Sequence, residues 1–137
     1  MALLPEQIID KMMAADKMSQ WLGITILDAT PGAVELQMTV RDEMTNGFGV
    51  THGGITYCLA DSALAFSANS QGIQSMSIET SISHLKKVMS GDVLRVKSKE
   101  ISLSKKIGVY EMDVYNQYHE RVAHFKGTVY RSGKTWE

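Results

Sequence analysis

Apolar positions change their spacing several times along this chain, and each change marks an element. Pro5 suits a first helical position and Glu6 the positive end of a helix, and Ile8, Ile9, Met12 and Met13 recur at helical spacing up to Gly23. The pattern predicts a short amphipathic helix over about 5–22. From Ile24 the period falls to two: Ile24–Leu27, a Pro31-Gly32 turn, then Val34, Leu36, Met38 and Val40 alternating with Glu35, Gln37 and Thr39. That is a hairpin with one wet face. Asp42 to Thr51 holds Asn46-Gly47 and Gly49 among few periodic apolar residues, and reads as a loop.

The stretch 53–71 obeys neither period. It begins Gly53-Gly54, runs through helix formers and stops at Gly72, with Asp61 as its one charge. A helix this apolar on all sides must be enclosed by something. Four β-like stretches follow, at about Ser75–Lys87, Asp92–Ser102, Gly108–Asn116 and Arg121–Arg131, separated by turn signals at Ser90-Gly91-Asp92, Ser104-Lys105-Lys106 and Gln117–Glu120. No repeat, low-complexity tract or linker divides the chain, so residues 1–137 read as a single domain. Helix, two strands, one long helix and four strands predict an α+β fold with a largely antiparallel sheet, because the turns between the last four strands are too short for crossovers. The expected form is a curved antiparallel sheet wrapped around one long central helix over about 53–71. The sheet would bury half of that helix's surface and leave the rest for a partner subunit.

Composition adds exclusions. With 137 residues, 44% hydrophobic and 21% charged, the chain can sustain one core without disulfides or a structural metal, and the single Cys58 rules out an internal disulfide framework. Lys and Arg number 14 against 15 Asp and Glu, and no basic block stands out, which argues against nucleic acid as a partner. No apolar run approaches the ~20 residues of a membrane span, and the N-terminus reads as a helix start rather than a signal peptide. The expected location is the cytoplasm, with Cys58 reduced.

Asp61 is the first candidate for chemistry. Its helical neighbours Tyr57, Cys58, Leu64 and Ala65 offer no cation, and burying an unpaired carboxylate costs several kcal/mol unless other groups satisfy it. Such a cost tends to survive where the group does work, unless Asp61 simply faces solvent. Just upstream, Gly53 and Gly54 offer free backbone N–H groups at the positive end of the helix, a place to hold a developing oxyanion as well as an ordinary glycine helix start. His52 reads as a residue that orients or fixes the loop, and Asn46 as an amide that positions a carbonyl or a water, or as plain Asn-Gly turn chemistry. Ser77, Glu79, Ser81 and Ser83 alternate with apolar residues and Thr80, giving either a hydroxyl-rich face that holds a water or a solvated face. His84, His119 and His124 lack metal-ligand spacing and read as surface or edge residues, and Cys58 has no cation to form a thiolate. Neither a metal nor a cofactor is expected. Gly53 and Asp61 are eight residues apart, so ~12 Å of helical rise separates them, too far for both to act on one carbonyl from one subunit. If both act, a second subunit lies antiparallel and two equivalent sites form on a two-fold axis.

Asn46-Gly-x5-His52-Gly53-Gly54-x6-Asp61 on a central helix, followed by Asn69-Ser-Gln-Gly72 and Gly91-Asp92, closely resembles the hotdog-fold acyl-CoA thioesterases of the phenylacetate-degradation PaaI type, from about Trp21 to Arg131. The resemblance implies a helix wrapped by a sheet, a homodimer with a continuous sheet and shared active sites, and a homotetramer of two dimers. It implies hydrolysis of acyl-CoA to a carboxylic acid and coenzyme A, with Asp61 as nucleophile or general base and the Gly53 N–H as oxyanion donor. Asn46 and His52 would place the carbonyl or water, and Ser77 would position water. Many relatives carry an aromatic-Leu-Arg-Pro turn where this chain has His84-Leu85-Lys86-Lys87, and Lys86 still supplies a cation for coenzyme A phosphates. A non-catalytic acyl-CoA binding module of the same fold is the alternative. Hydration–dehydration of acyl thioesters lacks its histidine and carboxylate motif here.

Overall fold

The structure, a computed structural model, describes residues 2–137. The predicted first helix is two: α1 (Pro5–Ala15) and α2 (Lys17–Leu22). Asp16 separates them, because its carboxylate caps α2 by accepting from the Ser19 N–H at 2.9 Å, and that requires a non-helical backbone at φ −90°, ψ 88°. The hairpin forms as β1 (Thr25–Thr30) and β2 (Ala33–Thr39). The long helix α3 covers Gly53–Asn69, and β3 (Ile73–His84), β4 (Val93–Leu103), β5 (Ile107–Tyr115) and β6 (Arg121–Thr135) follow.

All strands pair antiparallel in one sheet of order β1-β2-β4-β5-β6-β3. The sheet is α+β and antiparallel as expected, but it is open, neither closed nor strongly curled, so it does not wrap around the helix. Its edges β1 and β3 do not meet. One face of the sheet carries α3, and α1 and α2 pack on the helix where a wrapped sheet would have lain. Ile8, Ile9 and Leu22 are fully buried there, and the Ser19 and Ser62 hydroxyls meet at 2.7 Å between α2 and α3. An apolar surface on every side showed that the helix needed cover and was silent on which elements supply it.

Alternate residues of the central strands make the core beneath α3: Leu36 and Met38, Leu94 and Val96, Tyr110 and Met112, Phe125 and Val129. Buried polar groups between helix and sheet are matched, since Ser67 donates to Ser98 at 2.7 Å and Ser98 Oγ accepts from the Val34 N–H at 2.8 Å. The helix comes so close that a Cβ on Gly127 of β6 would lie 2.4 Å from Leu64 Cδ2, which reserves that position for glycine.

Two features of the sheet position the site. β3 and β4 are consecutive in sequence yet lie at β6 and β2, so the connection 85–92 must cross beneath the N-terminus of α3. In β3 a bulge falls between Ser77 and Glu79: Ser77 pairs with Val129 and Glu79 with Thr128, leaving Ile78 unpaired. The bulge resets the alternation expected for Ser77, Glu79, Ser81 and Ser83. Ser77 before it and Thr80 after it both face α3, where Thr80 hydrogen-bonds the Tyr57 hydroxyl, while Ser81 and Ser83 are exposed. Among the described residues no helix is long and apolar enough to cross a membrane.

Candidate active site

The loop that enters α3 is fixed by Asn46. Its side-chain oxygen accepts from the Phe48 N–H at 2.9 Å and the Val50 N–H at 3.4 Å, and its backbone closes the turn with Val50 and Gly49. The carbonyl end of this amide is therefore occupied by the loop, and its NH₂ end has no hydrogen-bond partner among the described residues.

His52 is the N-cap of α3. Its Nδ1 accepts from the Gly54 N–H at 2.8 Å, so a neutral ring carries its proton on Nε2. With Gly54 engaged and the Ile55 N–H bonded to the His52 carbonyl, the Gly53 N–H is left unpaired among the described residues, at the positive end of a 17-residue helix. It opens on a cleft of about 350 Å³ lined also by Thr51, Thr56, His84, Lys86 and Lys87. His84 packs so near that a Cβ on Gly53 would sit 3.1 Å from its Nε2. Lys86 is paired with Glu120, holding that exposed carboxyl below its usual range, whereas Lys87 forms no ion pair among the described residues. Thr51 is buried and its hydroxyl lacks a partner among the described residues.

Asp61 lies in a different cleft of about 260 Å³, with Met12, Leu64, Met76, Ser77 and Val129 around it. The carboxylate is half-buried and makes no hydrogen bond or ion pair among the described residues. Burial pushes its carboxyl above the usual range, and the charge of Asp16 across the α2–α3 contact pushes it further the same way. Cys58, one turn earlier, is raised first by burial and then by Asp61, so it stays a thiol. Gly54, Tyr57, Cys58, Asp61 and Ala65 form a half-buried stripe along α3 that the chain's own elements leave partly uncovered.

The structure thus brings Gly53, His52 and Lys86 together, joins Asp61 with Ser77, and keeps the two groups apart. Sequence reasoning passed over His84 and Lys87, because their approach to Gly53 depends on the crossing connection and leaves no local signal. Thr51 and Met12 were equally unmarked.

The thioesterase superfamily model matches residues 48–123, which include the cap, the helix, β3 to β5 and the first residues of β6. The acyl-coenzyme A thioesterase PaaI of Escherichia coli is 35% identical over 90% of this chain and 89% of its own length. The structure of the E. coli PaaI protein from the phenylacetic acid degradation operon superposes with a TM-score of 0.93 at 34% identity, covering 96% of this chain and 95% of that one. A Streptococcus mutans protein, solved bound to acetyl-CoA, gives a TM-score of 0.80 at 26% identity over 82% of this chain and 91% of its own. By sequence, by fold and by the surroundings of α3, the chain belongs to the thioesterase superfamily, among its PaaI-related hotdog members.

Proposed function

We propose that the protein hydrolyses acyl-CoA thioesters to a carboxylic acid and free coenzyme A. The observation that carries this reading is the Asp61 carboxylate, half-buried and unpartnered in an apolar cleft, on the same helix that leaves the Gly53 N–H free. Attack on the thioester carbonyl forms a C–O bond and puts negative charge on the carbonyl oxygen, where the Gly53 N–H and the helix dipole stabilise it. The C–S bond then breaks and the thiolate leaves. As general base, Asp61 takes a proton from the attacking water and returns it to sulfur; as nucleophile, it forms a mixed anhydride that water opens. Single-turnover hydrolysis in oxygen-labelled water tests the second route, since label appears in Asp61 when water opens the anhydride at the aspartyl carbonyl and never when Asp61 acts as base.

Because ~12 Å of helix lies between Gly53 and Asp61, each site takes Gly53, Asn46 and His52 from one subunit and Asp61 and Ser77 from an antiparallel partner. Supporting this are the uncovered stripe on α3 and the edge strand β3, whose Met76 and Ile78 are 78% and 60% exposed. Two such homodimers pair into a homotetramer, and the protein works in the cytoplasm. Coenzyme A phosphates lie toward Lys86 and Lys87 in the cationic cleft. The test is thiol release from a panel of acetyl-, octanoyl-, palmitoyl- and phenylacetyl-CoA. Release above buffer is expected for at least one, and binding without release from any would make the protein a binding module.

A further inference from the structure

The Asp61 cleft continues beyond the carboxylate. Met12, Asn69, Ser75 and Met76 line it and also line a second cleft of about 350 Å³, whose remaining lining is Gln74, Tyr130, Ser132, Lys134 and Trp136. Sharing these four residues, the two clefts adjoin in a trough with Asp61 at one end and Trp136 at the other. Trp136 is held at that far end by two bonds. Its indole Nε1 donates to Asn69 Oδ1 at 2.9 Å and its backbone N–H to the Gly72 carbonyl at 3.0 Å. Asn69 is itself buried and fixed, donating to the carbonyls of Ala65 and Ser75 and accepting from the Ser75 N–H.

We infer that Trp136, anchored on Asn69, is the end wall of the acyl pocket and sets the length of acyl chain the enzyme accepts. This rests on the reading that Asp61 stands at the scissile carbonyl. The acyl group then runs into the apolar trough, because the cationic cleft at Gly53 suits the phosphates at the other end of the substrate. Asp61 and Asn69 are eight residues apart, or ~12 Å along the helix. With C–C bonds of ~1.5 Å at ~111°, an extended alkyl chain advances ~1.25 Å per carbon, so about eight to ten carbons reach the indole. Medium-chain acyl groups fill the trough to the wall, and Met12 and Met76, being flexible and polarisable, adapt to their shape. Longer chains meet the indole face.

The experiment compares kcat/KM for palmitoyl-CoA and octanoyl-CoA in the wild type, Trp136→Ala, Trp136→Phe and, as a control away from the trough, Trp21→Ala. Trp136→Ala is expected to raise the palmitoyl-to-octanoyl ratio about tenfold, through a lower KM for the long chain, and Trp136→Phe to raise it less. The Trp21→Ala ratio should match the wild type. A folded Trp136→Ala whose ratio stays within twofold of the wild type overturns the assignment, and if that variant does not fold, an unchanged ratio in Trp136→Phe does so. Should the wild type hydrolyse no acyl-CoA, the catalytic reading falls separately, and titration with thioether analogues of the two chains decides the wall: tighter palmitoyl binding by the variant supports it and equal binding refutes it.

Discussion

The two clefts on α3 are built from opposite materials. The one at Gly53 is made of a helix N-terminus, a strand end and loops, holds histidine and lysine side chains, and offers a backbone donor that the His52 cap leaves free. The one at Asp61 is made of helix and sheet faces, combines Met12, Leu64, Ala65, Met76 and Val129 with neutral polar side chains, and holds a single carboxylate that burial keeps reluctant to ionise. A donor for an oxyanion works best where cations and a helix dipole already favour negative charge, and a base works best where water is scarce. Placing both in one cleft would let the carboxylate occupy the donor. Separation by two turns of helix keeps the two groups apart within one chain.

The sharpest way to break this contrast is Asp61→Asn, which should lower kcat at least ~100-fold, the scale of a lost general base, with oligomeric state unchanged. Stability should move the other way. The folded chain holds the Asp61 proton more tightly than the unfolded one, so this group favours folding below the ordinary carboxylate range, and that contribution is lost as pH rises through its raised value. At neutral pH the variant should melt above the wild type, with the gap closing in acid; a lower Tm at neutral pH would make the carboxylate a structural anchor instead.

Next in size is the recovery expected from mixing. Asn46→Ala and Asp61→Asn chains, inactive alone, are unfolded together and refolded. With random pairing about half the dimers are mixed and each has one intact site, so roughly a quarter of wild-type activity should return. No recovery, with exchange of subunits confirmed by mass, would mean that one chain supplies the whole site.

His52→Ala removes the cap of α3 and should cost ~1 kcal/mol of stability, with a smaller loss of kcat than Asp61→Asn because the Gly53 N–H remains. The smallest effect is electrostatic. In the proposed mechanism the reaction uses the Asp61 carboxylate, so the acid limb of the pH–rate profile should lie above the ordinary carboxylate range. Asp16→Asn preserves the α2 cap while removing the neighbouring charge, and should move that limb toward lower pH. A limb that does not move would leave burial as the whole cause.

Much of this was legible in the residues. The all-round apolarity of about 53–71 and the lone Asp61 marked the central helix, and the alternation at Val34–Val40 and Val93–Lys99 marked strands, because both signals are local and repeat at the period of the backbone. Four things were not. Asp16 carries a capping carboxylate that could have broken the first helix, yet the apolar spacing runs through it unchanged. The bulge at Ile78 is a mismatch between β3 and β6, so no property of β3 by itself announces it. Whether the sheet closes depends on β1 and β3, which lie 43 residues apart from Thr30 to Ile73, and on α1 and α2 taking the place it would have filled. His84 and Lys87 reach Gly53 through the long-range crossing of 85–92, which is why a histidine set aside as an edge residue stands beside the Gly53 N–H.

The sheet order has a further consequence for how the chain comes into being. β3 pairs only with β6, and Thr135 at the far end of β6 is 51 residues beyond His84. At about 5–20 residues per second of synthesis, β3 waits roughly 3–10 s for its partner. During that interval Met76 and Ile78 sit on a strand with neither neighbour, beside a helix whose stripe is also bare. The interval is long compared with collapse of the hairpin and helices, so newly made chains are most vulnerable to mispairing at β3, and slowing synthesis between residues 85 and 120 should lower soluble yield more than slowing it anywhere earlier.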